Sequence, residues 1–378
     1  MMGLKQPISN FVLCAIAAAA LSACGGGGDG GTSTSNPGTG GNPSTPTTPP
    51  STGSALPPQT SVPAGTYAAQ SANDAIFSAA NAYRLSMGVG ALRQDAILDV
   101  AAAAHAKYLQ TNMLSGAIKA FVHDESSSLP GYTGAWPLQR ARAAGAPNGQ
   151  WVSEVVAGNF GAATAAANGA GCWSQWLNTV YHLVGVTGNT ESVGVGVATP
   201  LDSSNPAYFC VLDLGTSTGV SRVPDPNDAS SVNAIPAEGG QQFATNVVVH
   251  APYSDESNVA LAMSAEAPNP APDLNAPGRP ILVRVNAAQN NKLTVSSFQL
   301  VDSAGGAVAA RIIVPSAVVA GSTATGIVAD VNNALPNGVA VLLPVAPLKA
   351  NTRYTVTFAG ARDGAAVNQS WSFTTAAQ

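Results

Sequence analysis

The chain reads as α+β: a mixed helix-and-strand unit followed by an all-β sandwich. Between residues 66 and 217, apolar residues recur at helical spacing in several runs and then alternate with glycine as in a strand. From residue 243 onward, about seven short β-rich runs are separated by Gly, Pro and Asn turns, the spacing of a sandwich. The polar stretch 218–242 holds Pro224, Pro226 and Pro236 and reads as a linker between the two. A length of 378 residues with 46% apolar residues is ample for two cores.

Taken in order, the chain opens with Lys5 and the apolar run 11–21, too short to span a bilayer and ending in small residues, as a secretion signal does. Leu21-Ser22-Ala23-Cys24 resembles the bacterial lipobox, whose Cys becomes the lipidated N-terminus after cleavage. An ordinary signal peptide with a nearby Cys is the alternative. The expected leader is 1–24, with lipid on Cys24 as a membrane anchor. Gly25 stands where an Asp would favour inner-membrane retention, which points to the outer membrane in a Gram-negative host. Residues 25–65 hold almost no large apolar side chain and read as a disordered Gly/Ser/Thr/Pro tether.

The first folded unit, 66–217, begins with a helix: Asn73 as N-cap, then Ile76, Ala80, Tyr83 and Met87 on one face before Gly88 ends it. A second helix starts at Asp95, with Leu98, Ala101, His105, Tyr108 and Leu109 on one stripe. His105, set among alanines, reads as a core histidine in preference to a ligand. Pro130 and Gly131 mark a tight reversal, and a short helix runs from Pro137 to Gly145. The Ala-rich run 162–179 is helical, with Trp173, Trp176 and Val180 packing on one face. Val193, Val195 and Val197 alternate with Gly194, Gly196 and Ala198. Such a strand invites close approach by another element. The partner strand is 208–214.

Only 9% of residues are charged, against a usual share of about a quarter, which suits an exported protein. A net charge of −5 provides no basic stripe for phosphates and excludes a nucleic-acid partner. Of four cysteines, Cys14 leaves with the signal and Cys24 carries lipid. Cys172 and Cys210 remain, and in an oxidising compartment they form one disulfide in preference to two buried thiols. Closing that loop is worth about 4 kcal/mol in the chain-entropy model.

The residues with chemistry are His123 in His123-Asp124-Glu125, Glu154 between small apolar residues, and His182 at the end of Trp176-Leu177-Asn178-Thr179-Val180-Tyr181-His182. Two imidazoles and a carboxylate are the donor set of a divalent metal, and zinc is the ion they would hold. A hydrogen-bonded polar cluster that pins helices to the sheet is the other reading. Asp124 and Glu125 read as solvated charges. Gly215-Thr216-Ser217-Thr218-Gly219 fits the G-x-S-x-G elbow, but the following Val220-Ser221-Arg222-Val223-Pro224 cannot form the helix that an elbow requires. The His-Glu-x-x-His spacing of zinc proteases is absent.

This order of motifs, closed by Val193-Gly194-Val195-Gly196-Val197-Ala198, is similar to the bacterial branch of the CAP superfamily, which groups cysteine-rich secretory, antigen 5 and pathogenesis-related-one proteins. The resemblance covers 70–216 and implies a three-layer α-β-α sandwich with a cleft lined by two His and two Glu. His123 and His182 take the His places and Glu154 the first Glu; the second falls near Asn178 or Thr179, so this chain lacks it. The endings Leu348 to Phe358 and Trp371-Ser372-Phe373-Thr374-Thr375 resemble bacterial Ig-like domains, which implies an Ig-like sandwich over 243–378. With no titratable cluster there, that part reads as a spacer or contact module.

The resulting expectation is a lipid-anchored, exported CAP-domain protein of the cell envelope, facing periplasm or cell surface. Its cleft would bind a lipid, sterol or cell-wall ligand. The alternatives are a metal-dependent hydrolase acting on peptide or peptidoglycan, and a structural envelope protein without catalysis.

Overall fold

The computed structural model describes residues 54–203, 205–288 and 291–378. Cys24, the leader 1–24 and residues 25–53 of the expected tether lie outside the described residues.

Helix α1 (Ala72–Met87) is capped by Ser71, whose hydroxyl accepts from the Asp74 N–H at 3.1 Å, and ends at Gly88 with φ +80°. The cap is therefore Ser71 and not Asn73. Asn73 lies inside the first turn, where its Nδ2 donates to Val195 O at 2.7 Å. Asp95 caps α2 (Ala96–Leu114) as its sequence predicts. Helix α3 (Pro137–Ala143) starts on its proline, and the Ala-rich run divides into α4 (Ala165–Leu177) and α5 (Val180–Val186).

The first sheet has the order β1-β3-β4-β2. Its strands are β1 (Arg93–Gln94), β2 (Trp151–Asn159), β3 (Ser192–Ala198) and β4 (Tyr208–Thr216). Strand β4 pairs antiparallel with both β2 and β3. Alternation along the strands divides the core. Val155, Ala157, Cys210, Leu212 and Leu214 pack with residues of α1, α4 and α5. Val152, Val156, Phe209 and Val211 pack with residues of α2 and α3 on the other face.

The recurrent glycines of β3 have a direct use. A Cβ on Gly194 would fall on the backbone of Leu98 and Asp99, and one on Gly196 on that of Ala102 and Ala103. Helix α2 lies against β3 only because those side chains are missing. The Cys172–Cys210 disulfide, with Cα atoms 6.4 Å apart, ties α4 to β4 as expected.

The second half holds a five-stranded sheet of order β5-β6-β10-β8-β9 and a three-stranded sheet of order β12-β11-β7. The five are β5 (Val248–Ala251), β6 (Ile281–Val285), β8 (Ala310–Val314), β9 (Ile327–Ala329) and β10 (Val339–Pro344). The three are β7 (Leu293–Asp302), β11 (Arg353–Arg362) and β12 (Ala365–Thr374). Val283, Phe298, Val356, Trp371 and Phe373 fill the space between the sheets. The opposite face of the larger sheet, with Leu282, Ile313, Val341 and Leu343, joins the core of α1, α4 and α5. Burial on both faces explains why β10 is an unbroken apolar run with every residue buried. The chain is α+β, and its described residues belong to one compact unit.

The segment between β4 and β5 runs along the first sheet. Leu138 N–H donates to Val232 O, Ala234 N–H to Val152 O, and Gln241 Nε2 to Ala91 O and Thr190 O. Gln59, near the start of the described chain, donates its N–H to Gln241 Oε1 at 2.6 Å.

Candidate functional site

Glu154 sits on edge strand β2 with the parity of Val152 and Val156, so its carboxylate enters the space under α2 and α3. There it is wholly buried and fully engaged. Oε1 lies 2.9 Å from His123 Nδ1 and 3.7 Å from His105 Nε2, and Oε2 accepts from Arg140 Nη2 at 2.8 Å. Its backbone N–H donates to Asn233 Oδ1 at 2.9 Å.

A second carboxylate completes the cluster. Glu125 Oε1 lies 2.9 Å from His105 Nδ1 and 3.9 Å from Arg140 Nε, and Oε2 accepts the Thr133 N–H at 2.6 Å. His105 Nε2 also faces Val122 O at 2.9 Å. Both ring nitrogens thus have a hydrogen-bond partner within the protein. His105 is a satisfied core residue, as its sequence context suggests, and it is also a member of this cluster. Glu125 is buried, which corrects its reading as a solvated charge: the loop folds back so that Glu125 N–H donates to Ala135 O.

Asp213 is the residue that sequence reasoning passed over. It stands opposite Glu154 in the β2–β4 register, is fully buried, and neither of its oxygens has a hydrogen-bond acceptor role filled. Burial first, and then the neighbouring Glu154 charge, push its carboxyl well above the ordinary range. For Glu154 burial acts in the same direction, but Arg140, His105 and the His123 hydrogen bond overcome it and hold the carboxyl well below that range. One ionised and one neutral acid next to Arg140 is the arrangement that two adjacent carboxyls adopt when one cation serves both. An Asp inside the apolar strand Tyr208–Thr216 was the local signal that could have found it.

His123, in the loop before this site, is the cluster's opening to solvent, with its side chain 32% exposed. Its Nδ1 faces Glu154, and its Nε2 bonds no described residue. His182 is elsewhere. Helix α5 packs on the opposite face of the sheet, and His182 Nδ1 lies 2.9 Å from Thr179 Oγ1 and 3.0 Å from Glu266 Oε1. Glu266 also accepts the N–H groups of Val180, Tyr181 and His182, capping α5 with a buried carboxylate from beyond the first sheet.

The structure therefore brings His123 and Glu154 together and sets His182 apart. Zinc does not fit this donor set: the Glu154 oxygens are held by a guanidinium and an imidazole, and the third expected ligand has its own carboxylate. Among the described residues no group of three or more His, Cys, Asp or Glu is placed to hold a metal ion. Ser217 follows β4, but the next regular element is β5 and no helix presents it as a nucleophile.

Residues 77–214, from within α1 to within β4, match the family model described as CAP: Cysteine-rich secretory protein family. Over these residues the chain is similar to that family. No curated protein matches the chain.

Proposed function

We propose that this CAP-domain protein is exported, anchored through lipid on Cys24, and works in the cell envelope by binding a lipid or cell-wall ligand at the cleft that His123 opens. The carrying observation is the saturation of Glu154. Both of its oxygens are taken up within the protein, and Arg140 keeps it ionised, so it is a weak base with no free lone pair aimed at solvent. His123 Nε2, in contrast, is a partly exposed donor or acceptor on a preorganised ring, the kind of group that orients a ligand. Exposed Tyr132 and Trp136 lie in the loop whose Ala135 pairs with Glu125, and they add apolar surface on the same loop. The described residues include no helix long and apolar enough to cross a membrane, so attachment in this reading rests on the lipid. The C-terminal sheets are read as an Ig-like contact module packed against the CAP residues.

The test is copurification. Full-length protein extracted from its own membranes in mild detergent is analysed by native mass spectrometry, as wild type and as His123→Ala. A bound envelope lipid or glycan in the wild type that is lost in the variant is the expected result. An unliganded wild type in extracts that still contain those molecules, or retention by the variant, removes the reading.

A further inference from the structure

On the other face of the first sheet from His123 lies a cavity of about 350 Å³, walled by α5, the segment 233–243, and strands β6 and β10 of the five-stranded sheet. Its size is at the lower end of the range in which proteins hold small ligands. The wall is apolar at Val184, Phe243, Leu335 and Val339, and it contains one charged side chain, Arg284.

Arg284 is poorly compensated. Its Nη2 donates to Val184 O at 2.6 Å, its Nε is sealed from solvent with no acceptor, and it has no carboxylate partner among the described residues. A second cation stands behind the wall. Arg84 is fully buried and directs its guanidinium to carbonyl oxygens alone, those of Val89, Gly90, Val186, Gly188 and Thr190. Three of those carbonyl residues, Val89, Gly188 and Thr190, line the cavity. Burial draws Arg284 down to about 10, and burial together with the Arg284 charge draws Arg84 down to about 9. Two neighbouring guanidiniums without an acid between them are costly in a protein interior unless an anion joins them.

We infer that this cavity is a binding site for a compact apolar carboxylate, with Arg284 receiving the carboxylate and the apolar wall receiving the body. A single negative charge fits better than a phosphate dianion, because Arg84 has already spent its donors on carbonyls and only Arg284, with Nη2 partly committed to Val184 O, keeps unspent donors. Asn233 adds a donor from the same wall. Its Oδ1 is fixed by the Glu154 N–H, which leaves Nδ2 without a partner among the described residues. The site is separate from the His123 cleft and does not depend on what binds there.

The experiment is isothermal titration of the full chain with benzoate, octanoate and inorganic phosphate at matched ionic strength, on wild type, Arg284→Gln and His123→Ala. Saturable binding of a carboxylate by wild type and by His123→Ala, weakened about tenfold or more in Arg284→Gln, is the expected result. No saturable carboxylate binding by wild type, equal binding by Arg284→Gln, or tighter binding of phosphate than of either carboxylate overturns it. Should Arg284→Gln fail to fold, wild-type melting decides. A rise with benzoate or octanoate beyond that given by chloride at the same ionic strength supports the site, and no such rise overturns it.

Discussion

Glu154 on β2 and Asp213 on β4 stand directly opposite one another, two buried carboxyl groups in one cross-strand pair with Arg140 bonded to only the first. Their environments separate them into an ionised and a neutral acid, and this division makes the cluster a closed polar hub.

Asp213→Asn should therefore be tolerated. Asp213 has its folded-state carboxyl raised by burial and by Glu154, so its contribution to stability is fully present below the unfolded value, about 3.9, and is lost as pH rises through the folded value. The asparagine mimics the neutral acid at every pH. The variant should match wild type near pH 4 and become the more stable of the two as pH rises through neutrality, read from melting curves across pH. A variant that is strongly destabilised throughout would contradict a neutral Asp213.

Glu154→Gln should be costly in the opposite window. A depressed carboxyl stabilises above its unfolded value, about 4.3, and that contribution disappears as pH falls through the folded value. Removing one member of a buried pair costs about 3–5 kcal/mol. Asp213 can ionise in its place and relieve Arg140, which sets the expected cost at the low end of that range. The double variant Glu154→Gln/Asp213→Asn removes this relief and should cost at least about 1 kcal/mol more than the sum of the single changes in denaturant unfolding. Additivity would mean that Asp213 does not respond to its partner.

Gly196→Val tests the contact between α2 and β3. The added Cβ meets the backbone of Ala102 and Ala103, which cannot swing aside as a side-chain end can. A loss of at least about 1–3 kcal/mol is expected from chemical unfolding, with the disulfide intact. An unchanged midpoint would show that the helix has room to move away.

Much of this was legible locally. Asp95 and Pro137 start their helices, the Val-Gly alternation marks a strand that a helix approaches closely, and the pairing of Cys172 with Cys210 follows from cysteine count and compartment. Each is decided by residues near one another in sequence or by simple elimination. The site was only half legible. His123 and Glu154 were found by their motifs, but the groups that decide their behaviour, Arg140 and Asp213, enter through packing across α3 and β4, which no local spacing encodes. His182 shows the same limit from the other side. Its motif was visible, but its partner Glu266 lies 84 residues further on and draws it to a different contact. Glu125, next but one to His123, looked like a surface charge because the loop closure that buries it depends on Ala135.

The central claim is that Glu154 is an internally satisfied, permanently ionised hub and not an available base. Its side-chain carboxyl carbon, labelled and assigned by difference from Glu154→Gln, reports this directly in a magnetic-resonance titration of the folded protein. The account predicts a constant ionised shift as pH falls from about 8 to about 4. A titration midpoint at or above about 4.3, the ordinary value for glutamate, would contradict it.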